Sequence, residues 1–351
     1  MKIKPVMAAL ERRGAETVLV HTGQHYDPEL SDRFFEDLGI RAPDHFLGAG
    51  SGTHAAQTAA VMLALEPLME EIDPVTTCVV GDVNSTVAAA LVAAKAGSLV
   101  AHVEAGLRSR DWAMPEEINR VVTDRVSDFL LAPSEDACEN LRNEGYRSDQ
   151  IHLVGNVMVD TLLDNVERAR ALPVLEDLGL ERGKYGVVTL HRPSTVDDPE
   201  LLQGVLGALD AISRELPLVF PAHPRTHARM ASLDPGGVRV IAPMGYLDFL
   251  ALEAGAALVL TDSGGIQEET TALGVACLTL RENTERPITI AEGTNRLVGR
   301  DPEAIVAAAR DALASPPEPR SPALWDGKAG ERIADVLLAD TSARSRPTDV
   351  S

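Results

Sequence analysis

Short apolar runs alternate along the chain with stretches of helical apolar spacing, each about 10–15 residues long. In the first half the runs predict buried strands at Thr17–Val20, Thr77–Val80, Leu99–Val103 and Phe129–Ala132, with helices at Ser85–Ala96 and Ser134–Glu144. The second half repeats the rhythm. Strands are expected at Gly186–Leu190, Leu218–Pro221, Val238–Ala242, Ala257–Thr261 and Val275–Leu280. Helices are expected at Pro199–Arg214, Leu247–Ala254, Gly265–Leu273 and Pro302–Leu313, with a last short one at Gly330–Leu338. This is the pattern of α/β, doubly wound parallel sheets. At roughly 150 residues per domain, 351 residues make about two domains. The expected division is an N-terminal Rossmann-like domain over 1–158 and a C-terminal one over 159–328. A final helix over 329–338 packs back on the first, and a loose polar tail covers 339–351.

In open parallel sheets ligands bind beyond the carboxyl ends of the strands, and six polar clusters fall at such ends. They are His21-Thr22-Gly23-Gln24-His25, Gly81-Asp82-Val83-Asn84-Ser85-Thr86, His102 to Arg108, His191-Arg192-Pro193, His223-Pro224-Arg225 and Asp262-Ser263-Gly264-Gly265. Six such ends in two half-chains point to a cleft between two domains.

Composition removes several function classes. The chain carries 32 Lys+Arg against 53 Asp+Glu, a formal charge of −21. That argues against nucleic-acid binding and against anionic membrane surfaces, and no apolar run approaches the roughly 20 residues of a membrane span. The acidity fits either a high-salt habitat or genome composition. Cys78, Cys138 and Cys277 lie far apart without metal spacing; Cys78 and Cys277, in apolar strand-like runs, fit core positions rather than reactive thiols, and a reducing cytoplasm is expected. His21 and His25 flank Gly23, which reads as a loop rather than a metal-binding helix face, so no metal is expected. Neither G-x-G-x-x-G, Walker A nor G-x-S-x-G occurs in a fitting context.

The clusters suggest chemistry, each against a plainer alternative. Ser263-Gly264-Gly265 opens a helix, so it suits a phosphate on backbone N–H groups, or it is a capped turn. Glu268 and Glu269 would repel that phosphate unless one of them meets a ribose diol. Asp82 is either an acid/base group or an N-cap. Glu104, between an apolar strand and a glycine, is a carboxylate whose burial raises its pKa, or a structural one. Glu116-Glu117, after Pro115, are helix-start charges or part of an acid/base set. His191-Arg192 and His223-Pro224-Arg225 favour an anion such as a diphosphate.

In combination these motifs resemble the non-hydrolysing UDP-N-acetylglucosamine 2-epimerase family, from about Lys2 to Leu338. The residues that carry the resemblance are Thr22-Gly23-Gln24-His25, Gly81-Asp82, His102 to Arg108, Pro115 to Arg120, His191-Arg192, Asp262 to Glu269 and Glu285-Arg286-Pro287. The resemblance implies a GT-B arrangement, a homodimer, and interconversion of UDP-GlcNAc and UDP-ManNAc with no cofactor. In that family UDP is eliminated to give a glycal and is then added back. Asp82, Glu104, Glu116 and His191 match its catalytic residues. Asp82 and Glu116 are assigned to the C2 proton, Glu104 to positive charge at C1 and His191 to the leaving diphosphate. Lys2, Gln24, His25, Arg108, His223, Phe249, Ser263, Gly264, Gly265, Glu269 and Arg286 match substrate-binding positions. Among them Glu269 would take the ribose and Phe249 the uracil, although Phe249 also fits a core position of an amphipathic helix.

The match has one departure. A Rossmann half opens strand–loop–helix, whereas this sequence opens at Lys2-Ile3-Lys4-Pro5, already in a helix. The family's first strand and its arginine-bearing loop have no counterpart, and losing a central strand leaves its neighbours unpaired. A start assigned too late or a shortened chain is the expectation. The sequence as written should then melt lower or turn over more slowly than one with an N-terminal extension. Equal melting temperatures and rates would refute this. A hydrolysing 2-epimerase, a GT-B glycosyltransferase and a non-catalytic UDP-sugar sensor are the competing readings.

Overall fold

The computed structural model describes residues 1–23, 37–222, 224–230 and 233–340. Two compact units form: Met1–Thr161 with Ala323–Ser351, and Leu162–Pro322. The chain thus divides after Thr161 and Pro322, against the expected 158 and 328.

The first unit holds the strands β1 (Val20–His21), β2 (His45–Phe46), β3 (Thr76–Val80), β4 (Leu99–Val103), β5 (Phe129–Ala132) and β6 (Ile151–Leu153). β3-β4-β5-β6 form one parallel sheet in chain order, and β1-β2 form a separate parallel pair. β5 is buried along its whole length, as a strand covered on both faces must be. Val80 lies opposite Val103, so β3 and β4 end side by side.

The second unit holds β7 (Gly186–Thr189), β8 (Leu218–Pro221), β9 (Arg239–Ile241), β10 (Leu258–Thr261), β11 (Ala276–Thr279) and β12 (Asn295–Leu297). Its parallel order is β12-β11-β10-β7-β8-β9. The chain winds outward from β7 to β9, then returns to lay β10 on the other side of β7. The β7/β10 boundary is therefore the topological switch point, where such sheets take ligands.

Expected and observed elements differ where the pattern is weak. β2, β6 and β12 are two or three residues long with polar members, too short to stand out. The helix His54–Ile72 was not anticipated, because its apolar residues run nearly all round and Pro67 reads as a breaker. Among the described residues no helix is long and apolar enough to cross a membrane.

The last helix, Ala329–Asp340, belongs to the first unit. Val6 of the helix Ile3–Arg12 shares a buried cluster with Ala329, Ile333 and Leu337. The two helices approach so closely that a Cβ on Gly330 would lie 2.6 Å from the Pro5 carbonyl oxygen. Asp160, buried, accepts the Ala329 and Gly330 backbone N–H groups at 3.1 and 2.7 Å. Those are first-turn donors with no partner inside the helix. Replacing Asp160 by alanine should lower unfolding stability by about 1–2 kcal/mol, the usual cost of losing such a cap, measured by urea denaturation.

Candidate functional site

At the end of β4, Glu104 adopts a left-handed backbone with φ +74°. Only a few per cent of residues other than glycine do so. Its N–H and that of Ala105 both reach the Leu131 carbonyl, at 3.1 and 3.3 Å, which fixes the turn. The side chain is buried, with Oε2 2.6 Å from the Lys2 ammonium. Oε1 is buried without a hydrogen-bond partner among the described residues. At the adjacent end of β3, a Cβ on Gly81 would sit 3.4 Å from Lys2 Nζ and 3.7 Å from Glu104 Oε2, so that turn passes directly under the ion pair.

Asp82 follows Gly81 and is 2.6 Å from Arg120 Nη2. The Asn119 side-chain amide donates to the Asp82 backbone carbonyl at 2.9 Å. Both partners come from the helix Pro115–Val126, which Pro115 opens at a position where no N–H is needed. Arg120 also binds Glu117. Glu117 accepts the backbone N–H groups of Ser109 and Arg110, each at 2.9 Å. Burial alone would raise the Glu117 pKa, but these donors and the Arg120 charge outweigh it and hold it below the usual carboxylate value. Glu117 is thus an anchor, whereas Glu116, half-buried, makes no hydrogen bond or ion pair with a described residue.

Behind this face lies a second buried set. His102 presents Nδ1 to Asp124 Oδ1 at 2.6 Å and Nε2 to the Gly81 carbonyl at 2.9 Å. Asp124 Oδ2 takes Arg108 at 2.7 Å and the Gly106 N–H at 3.1 Å. Arg108 also forks onto Glu144 at 2.8 and 2.7 Å and donates to the Leu107 carbonyl. Those bonds engage all three of its nitrogens with protein partners. Burial would raise the Asp124 pKa, yet His102 and Arg108 bring the net shift below its ordinary value.

In the second unit Asp262 follows β10, is fully buried, and accepts the backbone N–H groups of His191 (3.1 Å) and Arg192 (3.0 Å) from the end of β7. His191 Nδ1 lies 3.0 Å from Asp262 Oδ1 while the ring is 55% exposed, which leaves Nε2 facing outward. Ser263 occupies the N-cap of the helix Gly264–Leu273, but its side chain makes no capping bond. Gly264 is compelled by space, since a Cβ there would lie 2.4 Å from Arg286 Nη1 and 2.5 Å from Glu285 Oε1. Arg286 is buried between Glu285 and Glu268, with Nε 2.9 Å from Glu268. Burial would raise the Glu285 pKa, but Arg286, Arg281 and Arg192 drive it far down. Glu269 is buried farther along the same helix, and Phe249 is half-buried against the apolar cluster of Leu250 and Val259. Gln24, His25 and His223 lie outside the described residues.

The structure places Asp82, Glu104, His191 and Asp262 at strand ends, as the pattern expects, whereas the part that Arg120, Glu117, Asp124 and His102 play as their supports is not read from the sequence. One signal was available. Glu117, Arg120 and Asp124 are spaced three and four apart, on one face of a helix.

Residues 8–338 match the family model described as UDP-N-acetylglucosamine 2-epimerase. The Methanocaldococcus jannaschii UDP-GlcNAc 2-epimerase, solved with UDP-GlcNAc and UDP, superposes with a TM-score of 0.88 at 40% identity, over 96% of each chain. The Methanococcus maripaludis UDP-N-acetylglucosamine 2-epimerase is 38% identical over 97% of this chain and 95% of its own length. The Pseudomonas aeruginosa UDP-2,3-diacetamido-2,3-dideoxy-D-glucuronate 2-epimerase is 40% identical over 94% of this chain and 93% of its own length.

Asp124→Asn should cost about 3–5 kcal/mol at neutral pH, because it strips the compensating charge from buried partners. The native Asp124 pKa lies below the unfolded value, so its contribution is present above about pH 4 and is lost as pH falls through the native pKa. Urea midpoints of the two proteins should therefore converge in acid.

Proposed function

The chain belongs to the UDP-N-acetylglucosamine 2-epimerase family, and from that premise we propose that it interconverts UDP-GlcNAc and UDP-ManNAc by inverting C2. The C2 hydrogen is a poor acid, because no carbonyl flanks it. Its removal becomes feasible when the C1–O bond to UDP breaks with it. One carboxylate takes the C2 proton, the C–H electron pair becomes the C1–C2 double bond, and the C1–O pair leaves with UDP. Re-addition of UDP at C1, with a proton delivered to the opposite face of C2, gives the epimer.

Two carboxyl groups on opposite faces serve this chemistry. Asp82, ion-paired with Arg120, suits the base of one direction. Glu116, with no partner among the described residues, suits the acid. Glu104 faces the positive charge that builds at C1, and His191, steadied by Asp262, receives the departing diphosphate. Ser263, Gly264 and Gly265 offer a hydroxyl and helix N-terminal donors to the phosphates, with Arg286 behind them. Glu269 takes the ribose and Phe249 the uracil. The observation that carries this reading is Glu104, a buried carboxylate in a strained backbone, half satisfied by Lys2, on the strand next to Asp82. Maintaining such an arrangement costs stability, and function is the usual reason for it. We place the enzyme in the cytoplasm as a homodimer. Its three unpaired cysteines fit a reducing compartment.

Proton NMR of UDP-GlcNAc with the protein in D2O tests this. UDP-ManNAc should appear with deuterium at C2. Free ManNAc and UDP would mean a hydrolysing enzyme, and an unchanged spectrum would refute turnover of this sugar. The Pseudomonas relative's activity makes UDP-2,3-diacetamido-2,3-dideoxy-D-glucuronate the second substrate to add. Asp82→Asn and Glu116→Gln should each lower kcat by about 10²–10⁴-fold, with little effect on UDP affinity.

A further inference from the structure

Glu253 lies in the last turn of the helix Tyr246–Ala254 and has no access to water. Among the described residues neither of its carboxyl oxygens meets an N–H or hydroxyl donor. Seven residues from Tyr246, Glu253 lies on the same face of that helix, which packs on the helix Gly264–Leu273, and there its carboxyl interacts with that of the buried Glu269. The Tyr246 hydroxyl approaches Glu269 Oε1 at 3.4 Å as a further donor. The other titratable groups facing the pair are Glu268, which is bound to Arg286, and Cys277 on β11.

Two ionised carboxylates are acceptors only, so a hydrogen bond between them requires a proton on one. Position decides which. Glu253 sits in the last turn of its helix, where an anion is disfavoured, and meets no other donor among the described residues, while Glu269, in mid-helix, has the Tyr246 hydroxyl to support a charge. We propose that Glu253 is a positioning residue that carries the shared proton and donates it to Glu269, fixing Glu269 as an anionic acceptor for the ribose hydroxyls of UDP. This rests on the ribose assignment given to Glu269 above.

A consequence follows for binding. Burial, assisted by the Glu268 charge, raises the Glu269 pKa to about 7, while its bonds to Glu253 and Tyr246 oppose the rise. Below that pH Glu269 gains its own proton and is lost as an anionic acceptor. Removing the Glu253 donor should move this transition upward. An amide at 253 still donates an N–H and should leave it in place.

The experiment is calorimetric titration of UDP into the full chain and its variants from about pH 5.5 to 9. Glu253→Gln should bind like the parent at every pH. Glu253→Met should bind about fivefold more weakly at pH 7 and recover at pH 9, as a one-unit rise of a transition near pH 7 requires. Its kcat at saturating substrate should hold while KM rises at neutral pH. Weaker binding by the same factor at all pH values, with a lowered Tm, would mean mere packing and overturn the proposal, as would an unmoved profile in Glu253→Met. Glu269→Gln separates the two claims. If it binds UDP as tightly as the parent, the ribose assignment fails and takes the proposal with it. If it binds weakly while Glu253→Met matches the parent, only the proposal fails. The parent supplies a check that needs no variant: its preference for UDP over 2′,3′-dideoxyuridine diphosphate should collapse below about pH 7, and a pH-independent preference would overturn the proposal.

Discussion

Asp124 has no access to water, and its two oxygens are met by His102, Arg108 and the Gly106 N–H. An unpaired buried carboxylate would be prohibitively costly, so these donors come as a set. Their geometry extends outward. His102 bonds the Gly81 carbonyl, Gly81 leads into Asp82, and the helix that carries Asp124 also carries Arg120, which holds Asp82. The position of Asp82 is inherited from the solvation needs of a residue behind it.

The second unit uses the same device at its switch point. Asp262 gathers two backbone N–H groups and the His191 ring, tying the ends of β7 and β10 together. Glu285 does this for three arginines. In an acidic chain of net charge −21, such local pairing lets a site present cations and N–H donors to an anion despite the overall field.

Much of the fold was legible because buried parallel strands are continuous apolar runs, and Leu99–Val103 and Phe129–Ala132 fall where that pattern puts them. The residues at strand ends were legible too, since polar clusters after apolar runs mark Asp82, Glu104, His191 and Asp262. What escaped depends on three dimensions. Nothing local tells that Lys2 reaches Glu104, which is 102 residues away, or that Arg108 turns to Glu144. Glu116 and Glu117 are identical in sequence terms, and only the helix phase makes one an anchor and leaves the other without a partner among the described residues. The helix His54–Ile72 escaped because its small, evenly distributed apolar residues erase the periodicity that reveals a helix.

The left-handed backbone of Glu104 has an evolutionary cost. Glycine adopts that conformation without strain and would be favoured there by about 1 kcal/mol. It would discard the carboxylate, while the Lys2 ammonium, which is partly exposed, could turn to water. A library selected for thermostability alone would therefore drift toward Glu104→Gly and fill with robust proteins lacking the carboxylate. At this position heat tolerance and the role proposed for the carboxylate are opposed, and a laboratory lineage keeps both only if every round also selects for turnover.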